Sequence, residues 1–231
     1  MSMRAIILTG ILMACIAQLG WAKTAVPAAK KAPQPAIVFA PADLDLAPGE
    51  RYMFEVTIRN PIGKPQQAAV TLAPDPGLTV SPATWKGRLP TWGVKLYPRI
   101  SAAPDRSADG SVTVRLAVGG KTLAQRAFVV RNTVPQADIV ADWQGGAVIF
   151  RITNTFRTRK LKGGVTLSNP DRFLQDITTG LFDVEPGRTA EVRIPIPGAA
   201  PAPGESYQFT AVYRTWEGYT GRISRYLEYG G

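Results

Sequence analysis

No histidine occurs anywhere in the 231 residues, and the single cysteine, Cys15, lies in an apolar N-terminal segment. The rest of the chain therefore offers no thiolate nucleophile, no imidazole-based triad and no zinc site of the Cys/His kind. Disulfides are excluded there for the same reason. The 17 Asp and Glu are scattered singly and form no Asp-x-Asp-x-Asp loop. That leaves a glycosidase-type carboxylate pair or oxygen-ligated calcium as the only chemistry of those kinds still open. There is no glycine-rich phosphate loop and no serine elbow. Neither an enzyme nor a cofactor is expected. Helical spacing is missing as well, because after residue 22 no ten-residue stretch repeats apolar side chains at helical intervals.

What the chain does contain is turn residues and short apolar runs. Its 20 Pro and 22 Gly are spread between such runs, which suits many turns and an all-β fold. Lys and Arg number 27 against 17 acids, a net charge of +10, which favours anionic partners such as acidic glycans or lipid head groups.

The first residues describe a route out of the cell. Arg4 precedes an apolar run from Ala5 to Ala17, and small residues at Gly20 and Ala22 precede Lys23. Residues 1–22 read as a secretory signal peptide, too short for the roughly 20 residues that span a bilayer. Leu12-Met13-Ala14-Cys15 also reads as a lipobox, so Cys15 is a candidate lipidation site and the only expected route to a membrane. Residues 23–36, rich in Ala, Pro and Lys, read as an extended spacer. Export to the periplasm or cell surface makes nucleic acid a poor candidate partner.

From residue 37 the pattern has period two. Tyr52, Phe54, Val56 and Ile58 alternate with Met53, Glu55, Thr57 and Arg59 up to Asn60-Pro61, a half-buried strand preceded by the turn Ala47-Pro48-Gly49-Glu50. Val148, Phe150 and Ile152 repeat the pattern before Asn154, and Ala68–Leu72 matches Gly163–Leu167. Two matched strands in the same order predict an internal repeat, at a spacing near the ~100 residues of an immunoglobulin-like domain. Further strands are expected at 94–100, 112–118, 123–130, 190–196, 207–215 and 222–229. The expectation is two tandem immunoglobulin-like β-sandwiches, 37–131 and 136–231, joined near Arg131–Pro135.

The run Leu46–Glu50, the strand ending at Asn60-Pro61 and the segment Gly77–Pro82 together resemble the alpha-galactosidase-associated immunoglobulin-like domain. Val184–Arg188 and the hairpin Tyr207–Gly221 are similar to bacterial cell-surface sandwich domains. The resemblance implies a spacer or adhesion module of the cell envelope and carries over no active-site residue. The chain is also similar in length, charge and expected architecture to the periplasmic chaperones of pilus assembly. In that reading Leu123–Val130 would be the donated strand, although Gln125 and Arg126 interrupt its apolar alternation.

Candidate binding residues follow from charge and aromaticity. Arg157, Arg159, Lys160 and Lys162 crowd one loop and suit phosphate or carboxylate groups. Arg214, Arg222 and Arg225 share the last hairpin with Trp216 and Tyr219, a mixture that stacks on sugars. Trp85 and Trp92 bracket a further loop and serve either as a glycan platform or as lids on the core. The function expected is a non-catalytic binding or spacer protein that contacts another envelope protein or an anionic polymer. The alternatives are a pilus-type chaperone or a carbohydrate-active accessory protein.

Overall fold

The computed structural model describes residues 36–170, 177–196 and 202–229. The expected signal peptide, with Cys15, and nearly all of the expected spacer lie outside them. Among the described residues every regular element is a strand, and none is a helix able to cross a membrane.

The first eleven strands are β1 (Ile37–Ala40), β2 (Leu44–Leu46), β3 (Arg51–Met53), β4 (Glu55–Ile58), β5 (Gln66–Pro74), β6 (Leu78–Ser81), β7 (Thr84–Leu89), β8 (Val94–Leu96), β9 (Arg99–Ala102), β10 (Gly110–Val118) and β11 (Lys121–Asn132). One layer is the sheet β2-β11-β10-β5-β7, and the other is made of two short sheets, β1-β4-β8 and β3-β9-β6. The split in the second layer departs from the continuous strands expected at 52–59 and 94–100. Proline causes part of it, since Pro98 has no N–H for a ladder, and its carbonyl accepts from the Phe54 N–H at 3.1 Å. The chain changes sheets at that point, and Phe54 turns inward to stack on Phe128 with ring centroids 4.4 Å apart. Phe54, Phe128, Val56, Ile100 and Val114 are fully buried in this first core.

The remaining strands are β12 (Gln136–Asp142), β13 (Ala147–Thr153), β14 (Leu161–Ser168), β15 (Ile177–Val184), β16 (Thr189–Pro195), β17 (Ser206–Thr215) and β18 (Thr220–Glu228). They form the sheets β12-β13-β16 and β15-β14-β17-β18. Tyr207, Phe209, Ala211 and Tyr213 of β17 alternate inward against Phe150 and Phe182 in a second core. The architecture is thus two tandem immunoglobulin-like β-sandwiches, and every paired strand within each is antiparallel except β2 against β11.

Each sandwich uses an asparagine in the same way. Asn60 Oδ1 accepts from Ile62 N while its Nδ2 donates to Lys64 O and Pro90 O. Asn154 Oδ1 accepts from Phe156 N while its Nδ2 donates to Arg159 O and Val184 O. The strand end is thereby tied to a distant turn, which a short amide side chain with both donor and acceptor can do.

Candidate functional site

Of the charged loop expected to face a ligand, one residue, Arg159, is consumed inside the protein. Arg159 is 7% exposed, and its guanidinium pairs with Glu50 and approaches Glu217 Oε2 at 3.6 Å. Its Nε donates to Asp45 O at 3.0 Å, and the group lies 3.9 Å from the Phe156 ring centroid. Glu50, fully buried, also accepts from Ala47 N at 2.9 Å and Thr215 Oγ1 at 2.8 Å. Burial pushes the Glu50 carboxyl up, and the adjacent Arg159 guanidinium pulls it partly back. These groups come from both sandwiches. The turn at 47–50 therefore docks on the loop 156–159 and on the hairpin after β17. Ala47 is buried in the second core, Arg51 N donates to Glu217 O, and Asp45 accepts from Arg157 N.

The other cations divide sharply. Lys160 pairs with Glu185 at 2.5 Å and Lys162 with Asp183 at 2.9 Å. Arg225 bridges β18 to Asp138 of β12 at 3.0 Å. Arg157 uses its backbone at the junction and leaves its side chain exposed. Arg214 and Arg222 are exposed and have no ion pair among the described residues. Tyr219 is half-buried and packs edge-on to Tyr213 at 6.0 Å as part of the second core. Trp216, by contrast, is 66% exposed. Trp85 packs on the first core as a lid, while Trp92 is exposed.

Two surfaces among the described residues suit a partner. On the first sandwich, β11 pairs with β10 along its length, but its other edge meets β2 only at Val130–Asn132. Among the described residues no strand pairs with the edge from Lys121 to Val129. Along this stretch Leu123, Gln125, Ala127 and Val129 are exposed while Phe128 and Val130 point into the core. Arg126 closes the sandwich mouth below them, donating to Ile37 O at 2.9 Å above the Phe39 ring. Arg126 thus belongs to the inward side, while on the outward side the polar Gln125 separates Leu123 from Ala127 and Val129.

The second surface lies on the outer face of β14 and β17. A depression of about 500 Å³ is lined by Gly164, Thr166, Val212, Arg214, Thr215 and Trp216. Trp216 stands at one end, its backbone N–H donating to Lys162 O at 3.0 Å, with Lys162 Nζ 5.4 Å from its ring. Among the described residues no group of three Asp or Glu could hold a metal ion.

No family model matches the chain, so the resemblance to the alpha-galactosidase-associated domain has no counterpart there. No curated protein sequence matches it either. Among solved structures the chain is similar to WR4, an MSP family member of Caenorhabditis elegans, at 13% identity over 43% of this chain and 99% of that one, with a TM-score of 0.35. It is also similar to the CupB2 chaperone of Pseudomonas aeruginosa, at 12% identity over 80% and 97% of the two chains, TM-score 0.30. A chain of the Salmonella enterica SafA pilin–SafB chaperone complex is 13% identical over 84% and 98%, TM-score 0.31. At such identities and scores these are likenesses only, and neither the fold nor the function below rests on them.

Proposed function

We propose that this chain is an exported, non-catalytic protein of the bacterial envelope that binds a partner polypeptide by strand addition along β11. The observation that carries the reading is the edge from Lys121 to Val129, which pairs with no strand among the described residues and presents exposed Leu123 and Val129. A free edge presents a row of backbone donors and acceptors to any extended chain. The outward Leu123, Ala127 and Val129 would set the partner's register. Two sandwiches pinned at a buried junction give the edge a fixed platform, which lowers the ordering cost of binding.

The chaperone-like form of this reading differs only in what docks. There β11 completes a partner's unfinished sheet, whereas a spacer protein would dock a folded one. Export rests on the pattern of residues 1–22. The test is a photo-crosslinking residue at Gln125, in the middle of the open edge, with exposed Glu191 on β16 as control, in native envelope fractions. A single adduct at Gln125, lost in the Leu123→Asp/Val129→Asp double variant, is expected. No adduct at Gln125, or equal adducts at both positions, rules the reading out.

A further inference from the structure

We propose that the depression on the outer face of β14 and β17 is a binding site for an anionic saccharide chain, with Trp216 as the stacking platform and Arg214 as the anion-holding group. The site goes beyond the β11 reading and lies on the other sandwich, so either can fail alone.

Three observations converge on one spot. Trp216 is 66% exposed although its backbone is pinned by the bond to Lys162 O. A large aromatic ring exposed to water gains when a flat, weakly polar face such as a pyranose ring covers it. Arg214 lines the same depression, and Arg222 stands beside it opposite Val212 in the β17–β18 register. Both guanidinium groups lack an acidic partner among the described residues, while neighbouring Lys162 is already neutralised by Asp183. Two unspent guanidinium groups beside an aromatic floor match a carboxylate or sulfate carried on a sugar, since guanidinium binds such groups bidentately.

The third observation is Gly164. It sits in the interior of a central strand, opposite Arg214 on one side and Leu181 on the other. A glycine there weakens the strand. Packing does not demand it, because an added Cβ would meet only Gly180 O at 3.5 Å and Leu181 Cδ2 at 3.7 Å, ordinary contact distances. Its backbone conformation is not left-handed either. The missing side chain keeps the floor of the depression open and lets a ligand approach the backbone.

The test uses the full chain and isothermal titration with a galacturonate hexamer. Its controls are a neutral galactan oligomer of equal length, inorganic phosphate and phosphatidylglycerol vesicles. Binding of the uronate alone is expected, with Arg214→Gln and Trp216→Ala each weakening it by about tenfold or more. Gly164→Val, which fills the floor, is expected to weaken binding while the melting temperature holds or rises. Arg157→Gln, an exposed cation elsewhere, is expected to change nothing. No uronate binding, equal binding of the neutral oligomer, preference for vesicles or phosphate, or affinity unchanged in the Arg214 and Trp216 variants would each overturn the proposal.

Discussion

Two adjacent glycines on β14 are there for different reasons. Gly163 faces inward, where a Cβ would collide with Arg214 O and come within 2.6 Å of Phe182 Cζ. Gly164 faces outward into ordinary contact distances. Gly163→Ala is therefore expected to destabilise by about 1–3 kcal/mol through overpacking. Gly164→Ala is expected to be neutral or to stabilise by about 0.5–1 kcal/mol. Urea unfolding of the two variants checks the contrast, and equal effects would contradict the inward and outward assignments.

Arg159 is the second residue whose role inverts between sequence and structure. As one of four cations in six residues it reads as a surface clasp, but it is the counter-ion of a buried Glu50. Arg159→Met strands that carboxylate and is expected to cost about 3–5 kcal/mol at pH 7. The cost has a definite pH dependence. Burial raises the Glu50 carboxyl above its ordinary 4.5, and removing Arg159 takes away the main influence that lowers it. An acid with a raised folded pKa loses stability as pH climbs above its unfolded value. The variant's deficit should therefore be larger at pH 7 than at pH 5, and adding Glu50→Gln should recover part of it. A deficit that grows on acidification would show that Glu50 is not the group left unpaired.

At the scale of elements, alternation located most strands, and what it missed was where a strand changes partner. Residues 52–59 alternate without a break, yet they form β3 and β4 in different sheets. The interruption is caused from outside by Pro98 across the layer, which period-two patterning of a single strand cannot register. The asparagines that end strands were visible as Asn60-Pro61 and Asn154, but their triple hydrogen bonding was not. Asn154→Ala leaves the Phe156 N–H and two carbonyls buried without partners, an expected loss of roughly 2–4 kcal/mol. Asn60→Ala acts at a more exposed strand end and should cost less. Thermal melts of both variants compare the two sandwiches directly. For β11, Gln125 and Arg126 look like one interruption when read as neighbours in sequence. Strand geometry puts them on opposite faces, and only Arg126 turns inward to the sandwich mouth.

At the scale of the whole molecule, the join at 133–135 is short and polar in sequence and is held from both sides in space. Thr133 Oγ1 donates to Asp45, Val134 O accepts from Thr155 Oγ1, and Pro135 O accepts from the Tyr213 hydroxyl. With Arg159 and Glu50 bridging beside it, limited proteolysis is expected to spare this join in the wild type. Cleavage there should appear in Arg159→Met, where the junction loosens. Early cutting of the wild-type join would mean that the two sandwiches move independently.

Composition and alternation alone determined that the folded part is all-β, that it lacks imidazole and thiol chemistry, and that it is basic. These are properties of residue type and of spacing along one strand, and a linear pattern carries them in full. The tertiary structure alone decided which cations are spent and which are free. A guanidinium's availability depends on the acid that stands opposite it, and Glu50 reaches Arg159 from 109 residues away in the chain. The open edge of β11 and the bare floor at Gly164 were settled in the same way, by which strand lies beside which.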